Sequence, residues 1–109
     1  MLVEHWNGTV WAVVASPNPV GSAGSLLYGV ACVSTTDCTA VGYAIIAGVQ
    51  KTLVEHYNGT VWAIVASPNP VGAADISLIG VACVSTTNCA TVGTMTIGGV
   101  FKTLTERYQ

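Results

Sequence analysis

Charged side chains are scarce in this chain: of 109 residues, three are Lys or Arg and five are Asp or Glu, 7% in all. Ordinary soluble domains carry roughly 25%. Few charges remain to hold neighbouring molecules apart, so much of the surface of one chain is expected to be buried against another. Positive charge is the scarcest. Lys51, Lys102 and Arg107 are the only cations besides two histidines, whereas a phosphate-backbone binder needs several clustered Lys or Arg. Nucleic acid is therefore not an expected partner, and neither is an anionic membrane surface.

Long apolar runs are missing too, although 51% of the residues are hydrophobic. A spanning helix needs about 18 consecutive apolar residues. The best stretch, Tyr43 to Val49, is far shorter and carries Gly48. The β-rich segments also lack the clean apolar–polar alternation of a membrane barrel, so no membrane insertion is expected. Met1 leads straight into a strand-like segment, with no basic n-region or apolar h-region. That start fits a processed, truncated or engineered unit. Catalytic signatures are absent: there is no nucleophile elbow, P-loop, H-E-x-x-H or dinucleotide fingerprint. Asp37 and Asp75 are isolated, and Ser16 and Ser67 precede prolines. No enzyme and no cofactor are expected.

What the sequence does contain is a repeat, and internal repeats decide the fold. LVEHWNGTVWAVVASPNPVG begins at Leu2 and LVEHYNGTVWAIVASPNPVG at Leu53, an offset of 53 − 2 = 51. Aligning Leu2–Lys51 with Leu53–Lys102 needs no gap, and 35 of 50 positions are identical. A third copy starts near the C-terminus, where TLTERYQ matches TLVEHYN. The chain therefore reads as one unit over 1–109, with repeats at 2–51 and 53–102 and a partial third at 103–109. Thr52 and Thr103 stand where Met1 stands in the first copy.

Each repeat reads as four short strands. Strand a is Gly29–Ser34, b is Cys38–Tyr43, c is Leu53–Tyr57 and d is Val61–Ala66, with counterparts one repeat away. Asn58-Gly59, like Asn7-Gly8, separates c from d and predicts a type I′ hairpin, because both residues tolerate positive φ. Ser16-Pro17-Asn18-Pro19 and Ser67-Pro68-Asn69-Pro70 are connectors, since Pro has no donor for a central strand. A loop around Gly48 or Gly98-Gly99 joins b to c. The copies differ most at Ser22–Tyr28 against Ala73–Ile79 and at Tyr43–Gln50 against Thr94–Phe101. Those segments are expected to be the d–a and b–c loops, the first place to look for a site.

In Val61–Ala66 and in Val30–Val33 both alternating faces are apolar, whereas a one-sided antiparallel sheet alternates polar and apolar residues. Four-stranded antiparallel sheets covered on both faces by copies of themselves describe β-propeller blades. The fold class expected is all-β, with about two propeller-type blades per chain completed by oligomerisation into a ring or a head-to-tail filament. A β-solenoid is the runner-up. Two blades need eight strands and the chain supplies nine. The c strands Leu2, Val3, Glu4, His5, Trp6 and Leu104, Thr105, Glu106, Arg107, Tyr108 therefore compete for one slot, or pair between chains by strand addition. The partners expected are copies of the chain itself, with glycans as a further class.

The elements W-N-G-T-x-W, S-P-N-P, G-V-x-C-x5-C and A-V-G appear as Trp6–Trp11, Ser16–Pro19, Gly29–Cys38 and Ala40-Val41-Gly42. In this combination, over the whole chain, the sequence resembles the tandem propeller-like repeats of large secreted or surface-exposed bacterial proteins. The second copy departs in having Tyr57 for Trp6 and Ala90-Thr91-Val92-Gly93 for Thr39-Ala40-Val41-Gly42. The resemblance implies an extracellular or cell-surface location and lends no catalytic residues.

Four cysteines remain. Cys32 with Cys38, and Cys83 with Cys89, each bracket the a–b turn. An even count in an extracellular setting points to two local disulfides; reduced cysteines packed as small hydrophobes are the bland alternative. Zinc, which needs four converging ligands with shorter spacing, is not expected. Glu4-His5 and Glu55-His56 are repeated ionisable pairs, but strand neighbours point to opposite faces and form no dyad. A solvated outer strand explains them without a metal. Trp6, Trp11, Tyr57, Trp62 and Tyr108 are locked to the repeat and fit a core between blades. Tyr28, Tyr43 and Phe101 stand opposite Ile79, Thr94 and Gln50. Free of the repeat, they are the candidate ligand-binding residues, as sugar-stacking platforms.

Overall fold

A computed structural model describes residues 3–6, 11–14, 17–85 and 87–108. The expectations resting on Leu2, on the Asn7-Gly8 turn and on the side chains of Val3, His5, Trp6, Trp11 and Tyr108 lie outside the described residues. The described chain is all-β and antiparallel. β1 (Val3–Trp6) and β2 (Trp11–Val14) form a hairpin. β3 (Ser22–Ser34), β4 (Asp37–Ile46), β5 (Val49–Tyr57) and β6 (Trp62–Val65) form a four-stranded sheet in sequence order. β7 (Ala73–Ser85), β8 (Asn88–Ile97) and β9 (Val100–Tyr108) form a three-stranded sheet. The strand types a, b, c and d are thus β3–β6 in the complete sheet, a to c in β7–β9, and c and d in β1–β2.

The 51-residue offset holds in three dimensions. β1 pairs with β2 as Val3↔Val14, Glu4↔Val13, His5↔Ala12 and Trp6↔Trp11. β5 pairs with β6 as Val54↔Val65, Glu55↔Ile64, His56↔Ala63 and Tyr57↔Trp62. The two registers coincide under the offset.

Strands a and b are longer than their sequence suggests. Ser22–Tyr28, read above as a loop, continues β3 and pairs with the far end of β4. What hides it is a set of β-bulges, with register shifts at Ser22/Gly24, Leu27/Gly29 and Cys32/Ser34. An extra residue at a bulge breaks the alternation that marks a strand. The bulge also explains the A-V-G element. A Cβ on Gly42 would overlap the Leu26 carbonyl, and one on Gly93 would overlap the Ser77 carbonyl. Only glycine lets b pass the bulged a strand at that point.

The turns differ from expectation in one respect. Tyr57 and Trp62 are joined by a four-residue loop in which Gly59 alone has positive φ, at 97°. The Asn58 side chain shapes this loop, its Oδ1 accepting from the Thr60 and Val61 amides at 2.9 and 3.0 Å. The two successive left-handed residues of a tight hairpin occur instead between b and c, at Ala47-Gly48 (52° and 76°) and Gly98-Gly99 (59° and 78°). A side-chain acceptor two residues away offered Asn58 a cheaper solution than the left-handed region.

Two disulfides, Cys32–Cys38 and Cys83–Cys89, tie directly opposed residues of β3–β4 and β7–β8. Such bonds persist in oxidising compartments. No helix among the described residues is long and apolar enough to cross a membrane.

The two larger sheets pack face to face, with β7 lying across β3, β4 and β5. Val41 from the first sheet joins Ile76, Leu78 and Leu104 from the second in one apolar core. The backbones come closest at Gly29, where a Cβ would stand 2.7 Å from the Ile79 carbonyl oxygen. On the other face of the four-stranded sheet, Cys38, Ala40 and Trp62 form a second core, with Leu27 and Tyr57 against it. Replacing Gly42 or Gly93 by Ala should cost about 2–4 kcal/mol, because the added methyl meets backbone that cannot rotate away. Urea unfolding of G42A and G93A beside an alanine change at exposed Gly24, which has open space around it, would measure it.

Candidate functional site

The c strands carry most of the ionisable side chains, and their environments differ by face. Cross-strand partners share a face of a sheet. The register Thr39↔His56 and Val41↔Val54 places these four residues on the side of the four-stranded sheet that meets its neighbour. Thr91↔Glu106 and Gly93↔Leu104 place the second pair of residues on the facing side of the three-stranded sheet. Between them lies a cleft of about 150 Å³, lined among others by Thr39, His56, Ser67, Thr91 and Glu106. His56 is held there by Asp37, Nε2 to Oδ1 at 2.7 Å. One repeat later the same positions hold Asn88 and Arg107, which bond at 3.4 Å. The carboxylate–imidazole couple has become an amide–guanidinium couple, so a hydrogen bond survives both substitutions.

Glu55 is fully buried, and neither carboxylate oxygen has a hydrogen-bond partner among the described residues. An unpartnered buried carboxylate is costly to ionise. Burial pushes Glu55 from its ordinary 4.5 up to about 7. Burial raises Glu106 as well, and its Oε2 is likewise unpartnered. Glu4, at the equivalent position of β1, is exposed. Nothing in the sequence distinguishes the three. Their contrast comes from which sheet face is covered.

Among the described residues β9 pairs with β8 alone, whereas its counterpart β5 pairs with β4 on one side and β6 on the other. Among those residues no d strand lies beside β9, and an edge of that kind presents a row of unpaired backbone groups. The face of this sheet turned away from its neighbour is exposed and mixed: Val92 is 54% and Phe101 73% accessible, and Thr103, Thr105 and exposed Arg107 share that face. Leu104 is buried on the opposite face, with Glu106 partly so.

Tyr28 and Tyr43, singled out because the repeat does not explain them, come together as a tilted ring pair with centroids 5.8 Å apart. Partial burial, and then the neighbouring Tyr28 hydroxyl, raise the Tyr43 phenol above its ordinary 10. Phe101 stands apart on the outer face of the other sheet. The repeat-locked Trp62 is buried against Tyr57, with centroids 5.4 Å apart. Among the described residues no three His, Cys, Asp or Glu converge to hold a metal ion.

The S-P-N-P connector also acquires a role. Asn69 Oδ1 accepts the Thr52 amide at 2.8 Å, and the Thr52 and Ser67 hydroxyls bond at 2.7 Å. The segment after strand d thus locks the start of strand c. No family model matches the chain, and neither does any curated protein or solved structure.

The raised Glu55 has a stability consequence. Between about pH 4.5 and 7 the folded state holds a proton that the unfolded state has released. Folding stability therefore falls as pH rises through that window, by roughly 3 kcal/mol at most, and levels off above it. Glu55→Gln keeps the shape and removes the titration. Urea unfolding of both proteins at pH 4.5 and 8 should show the Gln variant gaining on the wild type at the higher pH.

Proposed function

We propose that this chain is a structural repeat protein whose copies join through their c and d strands into a closed propeller-type ring or a head-to-tail filament outside the cell. The observation that carries the reading is the open edge of β9. The β7–β9 sheet repeats the order of β3–β5, and the β1–β2 hairpin carries a d strand in the register of β5–β6, which supports this reading. Exposed Val92 and Phe101 beside that edge and the low charge of the chain favour the same association. The two disulfides fit an extracellular or cell-surface setting. A heterologous contact of this kind closes when its rotation divides a full turn, and otherwise propagates as a fibre.

A second reading, a carbohydrate-binding module, has one observation in its favour. The Tyr28–Tyr43 pair presents aromatic surface, with Tyr28 54% accessible, of the kind on which a sugar ring stacks. A glycan array should give at least one binder that Tyr28→Ala loses; an array blank at high protein concentration would remove this reading.

Native mass with negative-stain imaging tests the principal reading. The expected result is either a discrete species of three or four chains with a ring outline, or long polymers. A chain that stays monomeric at micromolar concentration would overturn it.

A further inference from the structure

We infer that Arg107 of one copy docks on the buried carboxylate of Glu55 in the next, with β9 of the first copy taking the place of β1 beside the second copy's β2. The inference deepens the assembly reading and rests on it.

The repeat supplies the geometry. Within one chain, His56 of the four-stranded sheet and Glu106 of the three-stranded sheet line the same cleft. Moving each residue to its repeat equivalent converts that pair into Arg107 and Glu55. Arg107 lies on the outer, exposed face of the three-stranded sheet, opposite Ala90. Glu55 lies on the face of the four-stranded sheet turned away from the cleft, opposite Ala40. If the sheet-on-sheet packing seen inside the chain is repeated between chains, these two faces meet.

Chemistry favours the exchange at both ends of the strand. Among the described residues neither oxygen of buried Glu55 has a hydrogen-bond partner, and a guanidinium is the donor best suited to a carboxylate there. β1 offers His5 at that position, whereas β9 offers Arg107. At the other end of strand c, Thr52 binds the S-P-N-P segment through its amide and its hydroxyl. Thr103 carries the same two groups in the third repeat, and Met1 at the first has no hydroxyl. A d strand followed by Ser16–Pro19 therefore finds a fuller set of partners on β9 of a neighbour than on β1.

A double-mutant cycle on the full chain tests the pairing, with association followed by sedimentation over a range of concentrations. R107M and E55Q should each weaken association at least tenfold, and the double variant should be no weaker than the weaker single. R107K should restore part of the loss. N88A, which removes the intrachain bond of Arg107, should leave association unchanged. Effects of R107M and E55Q that simply multiply would overturn the inference while leaving the assembly reading standing. R107E changes an exposed residue and does not depend on how E55Q folds; association at the wild-type level in that variant would overturn the pairing as well. A wild-type chain that never associates removes the assembly reading, and this inference with it.

Discussion

A sheet that is apolar on both faces has to be covered twice. The four-stranded sheet meets this demand with two cores, one around Val41, Ile76, Leu78 and Leu104 and the other around Cys38, Ala40 and Trp62. At about 25 cal/mol per Å² of apolar surface removed from water, neither face can be left wet without a large penalty. The three-stranded sheet meets the demand on one face only. Val92 and Phe101 remain accessible on the other, next to an unpaired strand edge. The proposed association would draw on the same burial of apolar surface that drives folding.

The repeat also determines how closely the layers approach. Gly29 lets two a strands pass with backbone nearly touching backbone, while Gly42 and Gly93 let each b strand clear its bulged partner. These positions are spread through the chain, yet all of them remove a Cβ where main chain must come close. The side chains at Ile76 and Leu78 can then fill the space between sheets. The copies agree at Leu27 and Leu78 but differ at Ser25 against Ile76 and at Ala40 against Thr91, so the two sheets fill their cores with different side chains.

The strand order was legible because the repeat announces it: a, b, c and d follow one another as neighbours, and the opposed cysteines mark the a–b hairpin. The strand lengths were not. Ser22–Tyr28 looks like a loop because its bulges break the period of two, and their mark in the sequence, Gly42 and Gly93, lies on the partner strand. Asn58-Gly59 was misread for another reason. An Asn-Gly pair permits two left-handed residues, but the Asn58 side chain instead accepts two amides while its own φ stays negative. Glu55 shows a different limit. Glu4, Glu55 and Glu106 have nearly the same sequence neighbours, and only the stacking of sheets separates an exposed carboxylate from a buried one. The Tyr28–Tyr43 contact is legible once it is known that the bulge lies between them; before that, two unrepeated tyrosines 15 positions apart carry no geometry.

Both disulfides close within a single hairpin, Cys32 to Cys38 and Cys83 to Cys89. No covalent bond therefore joins one sheet to another except the main chain itself. Each hairpin is stapled covalently, whereas the contact between the two larger sheets rests on packing alone. Neither bond involves a terminal strand, so the strand addition proposed above would require no thiol exchange. The same bonds that harden each unit against unfolding place no lock on how the units are strung together.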